Sequence, residues 1–162
     1  HVLSSAQVCT GFEFPTRVSA AGGIYICHDR ETPDTFSMQV EYPSGYLATM
    51  FCTQTTQQGP KLEIRGNKGT IRFSRDDGHP GPVTVTPERP YAKEFEEFTV
   101  DEGARPDHDV NFIQCMRTRE KPHYDALSGY KVMVALGLAV RSWREGKMFS
   151  FDPEKQEIVR ST

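Results

Sequence analysis

Alternation is the first signal along the chain. In TFSMQVEY, residues 35–42, Phe36, Met38, Val40 and Tyr42 fall on one side of an extended chain, with Thr35, Ser37, Gln39 and Glu41 on the other. A period of two is that of a half-buried strand. Pro43, Ser44 and Gly45 follow as turn residues, and YLATMFCTQT resumes in strand formers, so the two segments are read as an antiparallel hairpin. In the second segment both alternating sets are apolar, Leu47 and Phe51 on one side and Tyr46, Ala48 and Met50 on the other, which predicts cover on both faces. Residues 17–26 favour a further strand, in which Gly22 and Gly23 mark a bulge or a close backbone approach. KLEIRGNKGTIRF, residues 61–73, reads as a second hairpin, with the tetrad at 66–69 supplying positive-φ positions between Leu62/Ile64 and Ile71/Phe73. PVTVTP and EFTV are further short strands.

At Asp107 the period changes from two to that of a helix. Asp107 is placed to cap HDVNFIQCMRTRE, where Val110, Ile113 and either Met116 or Arg117 recur at helical spacing until Lys121 and Pro122 stop it. Asp125 is placed to cap ALSGYKVMVALGLAVRSWRE, which closes at Gly146. Tyr130, Met133, Val134, Leu136, Leu138 and Val140 occupy most of that helix's circumference, so it is expected to be covered on more than one side as the central core helix. Residues 2–9 read as the end of a helix with Gly11 as its C-terminal cap. MFSF, the turn at 152–154 and EIV predict a terminal strand that turns back or runs out along the surface. Strands first and helices afterwards predict an α+β fold with a largely antiparallel sheet.

Composition narrows the classes of partner. A chain of 162 residues, 36% hydrophobic, supports one soluble domain and is too short for two ordinary ones. A net charge of -3 offers no attraction to nucleic acid or to anionic membranes. No run approaches the roughly 18 apolar residues of a membrane span, and no signal-peptide pattern opens the chain, which leads to the expectation of a cytoplasmic protein. The first residue is His1 rather than Met, so the chain is read as a piece. Cys9, Cys27, Cys52 and Cys115 are scattered without a Cys-x-x-Cys pair; free thiols are expected and no metal, even with Cys27 beside His28.

The chemistry visible in the residues is sparse. Neither a Gly-x-Gly-x-x-Gly nor a Gly-x-x-x-x-Gly-Lys-Ser/Thr word occurs, the glycines at 66–69 are read as a turn, and neither a Gly-x-Ser-x-Gly elbow nor a His-x-x-x-His pair is found. By chemistry alone the chain reads as a binding or assembly domain. His1 remains, together with His108 next to Asn111 at a helix start. There the dipole disfavours an imidazolium and favours a neutral group that accepts a proton or hydrogen-bonds, although an ordinary solvent-exposed histidine fits the position as well. Arg30, Glu31 and Asp34 in RETPDT are read either as anchors for a polar ligand or as a charged turn.

FPTRVSAAGGIY, RETPDTFSMQVEYPSG, IRGNKGTIRF and HDVNFIQCMRTREKPHYDALSGYKVMVALGLAVRSWREGKMFSFDPEKQEI succeed one another over almost the whole chain. In this order they resemble the C-terminal domain of the glucose-fructose oxidoreductase / inositol dehydrogenase / MocA family of nicotinamide-dependent sugar dehydrogenases. The resemblance implies an open, mainly antiparallel sheet with helices packed on one face. It implies that residues 1–162 are a single C-terminal domain for substrate binding and oligomerisation, the N-terminal Rossmann domain being absent from this chain. NAD or NADP is then bound mainly by that missing domain, with no cofactor held here. The glycines at 22–23 let a strand enter the sheet rather than cradle a phosphate, the free sheet face builds a homodimer or tetramer, and the helical side approaches the nucleotide domain.

His1 sits where the family places a catalytic histidine, in a pattern like His-x-x-Asp in which Ser4 replaces the Asp. It is read as a native residue rather than the remnant of a purification tag, and as the group that takes the proton from a sugar hydroxyl as hydride leaves its carbon. The expectation is the C-terminal half of an NAD(P)-dependent oxidoreductase acting on a sugar, cyclitol or related polyol, inactive as an isolated domain. His1 is its catalytic residue, and His108 and Asn111 are substrate-binding. The other reading is a non-catalytic binding or scaffold protein that retains the fold, which the Ser4 departure favours.

Overall fold

A computed structural model describes residues 1–57, 59–75, 81–103 and 107–160. The helices are α1 (Val2–Thr10), α2 (His108–Thr118) and α3 (Ala126–Glu145). The strands are β1 (Arg17–Gly23), β2 (Thr35–Glu41), β3 (Leu47–Thr53), β4 (Glu63–Arg65), β5 (Gly69–Phe73), β6 (Val83–Pro87), β7 (Phe98–Val100), β8 (Phe149–Asp152) and β9 (Glu157–Arg160). They fall into two compact units, Gln7–Gly59 with Tyr124–Thr162, and His1–Ala6 with Pro60–His123.

The first unit is a five-stranded sheet in the order β3-β2-β1-β8-β9, every neighbouring pair antiparallel. The predicted hairpin is β2 and β3, closed by Gly45 at a φ of 82° and by the Tyr42 N–H donating to Tyr46 O at 3.1 Å. Its register sets Val40 opposite Ala48 and Met38 opposite Met50, which puts the core-facing set of β2 beside the smaller set of β3. Val18, Met38, Val40, Phe149 and Phe151 are buried on that face, with Val132, Ala135, Leu138 and Ala139 of α3 packed on the same side. On the outer face Leu47 and Phe51 are 56% and 44% exposed, so the expected second cover of β3 is not supplied by the described residues. The terminal hairpin β8–β9 turns back and adds to β1, where Val18 pairs with Phe149.

Among the described residues no strand pairs with this edge of β1 beyond Val18, and α3 meets its backbone instead. The Ala20 N–H donates to Ser142 Oγ at 2.9 Å, and Trp143 Nε1–H donates to Gly22 O at 2.8 Å. Unpaired strand groups that would otherwise be orphaned under a helix are satisfied in this way. Gly22 is a close approach and not a bulge, since the β1–β2 register runs unbroken from Arg17/Glu41 to Gly23/Thr35. A Cβ there would collide with Thr35 O and sit 3.0 Å from Phe36 Cα. Before β1, Phe12 meets Tyr124 and Phe14 meets Tyr130 edge-on at centroid distances of 5.5 and 5.4 Å, and Lys131 Nζ donates to Phe12 O at 2.8 Å. The aromatic pairs lock the connecting segment onto the start of α3.

The second unit holds a four-stranded antiparallel sheet, β4-β5-β6-β7, and α2. The α+β class with antiparallel sheets is borne out, but the strands form two sheets rather than one: β4 follows β3 in the chain and pairs with β5, Ile64 opposite Ile71. Gly59 and Pro60 interrupt the extended chain between them. The expected positive φ at Gly66 and Gly69 is absent: the glycines at positive φ among the described residues are Gly11, Gly45 and Gly146. Gly66 N–H donates to Gly69 O at 2.9 Å, and a Cβ at Gly69 would lie 2.9 Å from Thr86 O and 3.1 Å from the Phe95 ring. That glycine is required by proximity, not by backbone angle.

Candidate functional site

His1 precedes α1 and its carbonyl is the helix's first acceptor, taking the Ser5 N–H at 3.0 Å and Ser5 Oγ at 3.2 Å. The residue is exposed, and Ser4, standing where the family pattern has Asp, is half-buried. Leu3 and Gln7, one turn apart, are the buried residues of α1, which fixes the rotation of the helix about its axis. Gly11 ends it as expected, at a φ of 94° with its N–H donating to Gln7 O at 2.8 Å.

His108 occupies the first turn of α2 and is exposed. Asp107 caps the helix as predicted, one carboxylate oxygen accepting from the N–H groups of Asp109 and Val110 at 2.9 and 3.0 Å. With Asp109 also in that turn, the positive end of the helix carries two carboxylates. Asn111 is buried, and its hydrogen bonds run to His123: Oδ1 accepts the His123 N–H at 3.1 Å, and Nδ2 lies 3.4 Å from His123 Nε2. No hydrogen bond among the described residues joins His1, His108 and Asn111. His123, in KPHYD just past the helix stop, was not singled out in the sequence. The signal available was a polar residue on the buried side of α2, Asn111 with Cys115 four residues on, which needs a partner from the returning chain.

The charged word RETPDT resolves into a turn. Asp34 is 1% exposed, and its Oδ2 accepts from the N–H groups of Tyr25, Ile26 and Cys27 at 2.9, 2.7 and 2.9 Å. The N–H groups of Cys27 and Ile26 hold its carboxyl below the ordinary aspartate range. Arg30 is spent on Asp29 and on Gln54 Oε1, 2.5 Å away.

The N-termini of α2 and α3 do not fit a dinucleotide pyrophosphate. Such a group needs free N–H donors at a helix N-terminus. At α2 those donors are held by Asp107, and at α3 Asp125 takes the Ser128 N–H at 2.8 Å. Both caps are anionic and repel phosphate. Among the described residues no group of three or more His, Cys, Asp and Glu is placed to hold a metal ion, and no helix is long and apolar enough to cross a membrane.

Residues 1–72 match a family model described as the GFO/IDH/MocA C-terminal domain. No curated protein is matched. Among solved structures, the chain is similar to aldose-aldose oxidoreductase from Caulobacter crescentus complexed with glycerol, with a TM-score of 0.73 at 19% identity over 93% of this chain and 45% of that one. It is similar to an oxidoreductase from Agrobacterium radiobacter in complex with NAD+, L-tartaric acid and magnesium, with a TM-score of 0.68 at 13% identity over 92% and 47%. It is also similar to the WlbA dehydrogenase from Bordetella pertussis in complex with NADH and UDP-GlcNAcA, with a TM-score of 0.64 at 20% identity over 94% and 43%. The chain spans less than half the length of each. These likenesses are of fold, and the match over residues 1–72 bears out the family resemblance over that stretch of the chain.

Proposed function

We propose that the chain is the substrate-facing C-terminal half of an NAD(P)-dependent oxidoreductase acting on a sugar, cyclitol or related polyol. The observation that carries the reading is the match over residues 1–72, a stretch that holds the exposed His1 at the head of α1. The ligands named with the similar structures, glycerol and UDP-GlcNAcA, support a hydroxyl-rich substrate. His1 accepts the proton of the hydroxyl being oxidised, at an imidazole nitrogen, while His108 contributes to substrate affinity from the first turn of α2. Asn111 serves the substrate site through the segment it pins at His123. The hydride acceptor, NAD or NADP, is held by the remainder of the protein.

The test uses the complete protein. Sugars, cyclitols and polyols are screened with NAD+ and NADP+ by nicotinamide absorbance, and reduction is expected with at least one pair. His1→Ala is expected to lower kcat by about two to four orders of magnitude, while His108→Ala acts mainly on KM. Unchanged kcat in His1→Ala removes the histidine from the chemistry. The alternative, a non-catalytic binding protein, is favoured by Ser4 in place of the family's Asp; sugar binding without turnover on either nucleotide decides for it.

The outer sheet face extends the proposal to assembly. Leu47 and Phe51 lie exposed beside Glu41 and Ser37, their partners in the β2–β3 register. A second copy of this face is the occupant we assign, in a homodimer or tetramer. A stable pairing buries at least about 1,000 Å² in total, and sedimentation of the complete protein against its Phe51→Lys variant reads the result.

A further inference from the structure

One buried amide, that of Asn111, holds an exposed ring, that of His123. Arg119, at a φ of 63°, ends α2 and turns the chain, and Lys121 and Pro122 bring it back to the helix at His123. Asn111 is 9% exposed, whereas His123 lies at the surface. The Asn111 Oδ1 accepts the His123 N–H at 3.1 Å and its Nδ2 lies 3.4 Å from Nε2 of the same histidine, so the residue is gripped at two points.

The first bond decides the second. A backbone N–H only donates, so the amide oxygen must face it; turning the amide over would set Nδ2–H against that N–H, donor against donor. Nδ2 is therefore a donor, and the ring nitrogen opposite it must offer a lone pair. In a neutral imidazole that leaves the proton on Nδ1. The Nε2–H tautomer and the imidazolium would both oppose Asn111 with a second donor. Ordering an exposed ring costs rotamer freedom, and burying an amide to order it costs desolvation, while a ring at the surface returns little stability. A ligand gains from it instead, because affinity rises when the binding group is already in place. His1 and His108, the exposed histidines of the candidate site, belong to the same compact unit as Asn111 and His123.

We propose that His123 is a ligand-binding residue, held by Asn111 as the Nδ1–H tautomer and presenting that N–H to an acceptor oxygen of a sugar, cyclitol or polyol. Asn111 is its positioning residue. The assignment rests on the reading of the chain as substrate-facing, and it gives His123 a donor's part, distinct from the proton-accepting part of His1.

In the isotopically labelled complete protein, long-range proton–nitrogen NMR correlations separate a protonated ring nitrogen from a bare one, at a pH well above the ordinary histidine pKa of about 6.5. His123 is expected with Nδ1 protonated and Nε2 bare. Asn111→Asp, which puts an acceptor where Nδ2 stood, is expected to move the proton to Nε2. An Nε2–H ring in the unmodified protein, or a tautomer that Asn111→Asp leaves unchanged, overturns the positioning. Glycerol, D-glucose and myo-inositol are then titrated into the same sample, and at least one is expected to shift the Nδ1 resonance. Affinity for it is expected to fall about two- to tenfold in His123→Gln, whose amide nitrogen reaches towards the place of Nε2, and to be kept in His123→Asn, whose amide stands at the place of Nδ1. No shift with any of the three, no loss in His123→Gln, or an equal loss in both variants overturns the ligand role. None of these readouts needs nucleotide or turnover, so a protein that binds polyol without oxidising it overturns the enzymatic reading and leaves His123 its part.

Discussion

Helices α2 and α3 are announced by the same signals, an aspartate cap and apolar residues at helical spacing, yet they are held in different ways. α3 lies on its sheet with a stripe of mostly small residues, Ser128, Val132, Ala135, Ala139 and Ser142, with Leu138 as its one large member, and at its C-terminal end two side chains bond to the backbone of β1. The large residues Leu127, Met133 and Val140 are exposed and Tyr130 is half-covered by Phe14, so among the described residues α3 is covered mainly on its sheet side. α2 buries Asn111 and Cys115 while Val110, Phe112, Ile113 and Met116 are exposed. Within the chain it is tied by its cap and by the bonds to His123. A close helix–sheet contact selects small residues, because large ones would hold the two backbones apart. Size and periodicity together therefore mark a helix without marking which face is buried.

The contrast can be broken by substitution, measured as urea unfolding. Leu138→Ala should cost the most, about 2–5 kcal/mol, because it empties a site that is fully enclosed beneath α3. Ser142→Ala comes next, at about 1–3 kcal/mol, through the Ala20 N–H left without an acceptor. Removing the α2 cap with Asp107→Ala is expected to cost about 1 kcal/mol. Phe112→Ala on the exposed face of α2 should change stability by less than about 0.5 kcal/mol. A cost for Phe112→Ala as large as that for Leu138→Ala would mean that α2 is packed by another part of the protein, and the distinction between the two helices would fall.

Local chemistry was legible where it is decided locally. Asp107, Asp125, Gly11, Gly45 and Gly146 stand at the caps and turns read for them, because a cap or turn depends on a few neighbouring residues. Long-range pairing was not. Nothing near β4 states that it leaves the first sheet, and nothing near Gly69 announces Thr86 and Phe95 closing over it. The candidate site divides along the same line. His1 is proposed on family likeness alone, whereas the partner of Asn111 lies 12 residues further on and emerges only when the chain folds back. Gln7, an uncharged residue in a short helix, carried no signal of its enclosed amide.

The carboxylate of Asp34 makes one exposed loop depend on acid. Tyr25 and Ile26 project into solvent, yet their amides and that of Cys27 are clasped by an enclosed oxygen, so all three should exchange hydrogen slowly at neutral pH. Because the folded carboxyl titrates below its unfolded value, the clasp stabilises the fold fully above the unfolded pKa, about 3.9, and is lost as pH falls through the folded value. Acidification should therefore release these three amides together while those in the middle of β1 and β2 stay protected. In Asp34→Asn the carbonyl that replaces the carboxylate carries no charge, and exchange at the loop should be faster at neutrality and no longer respond to acid through this group.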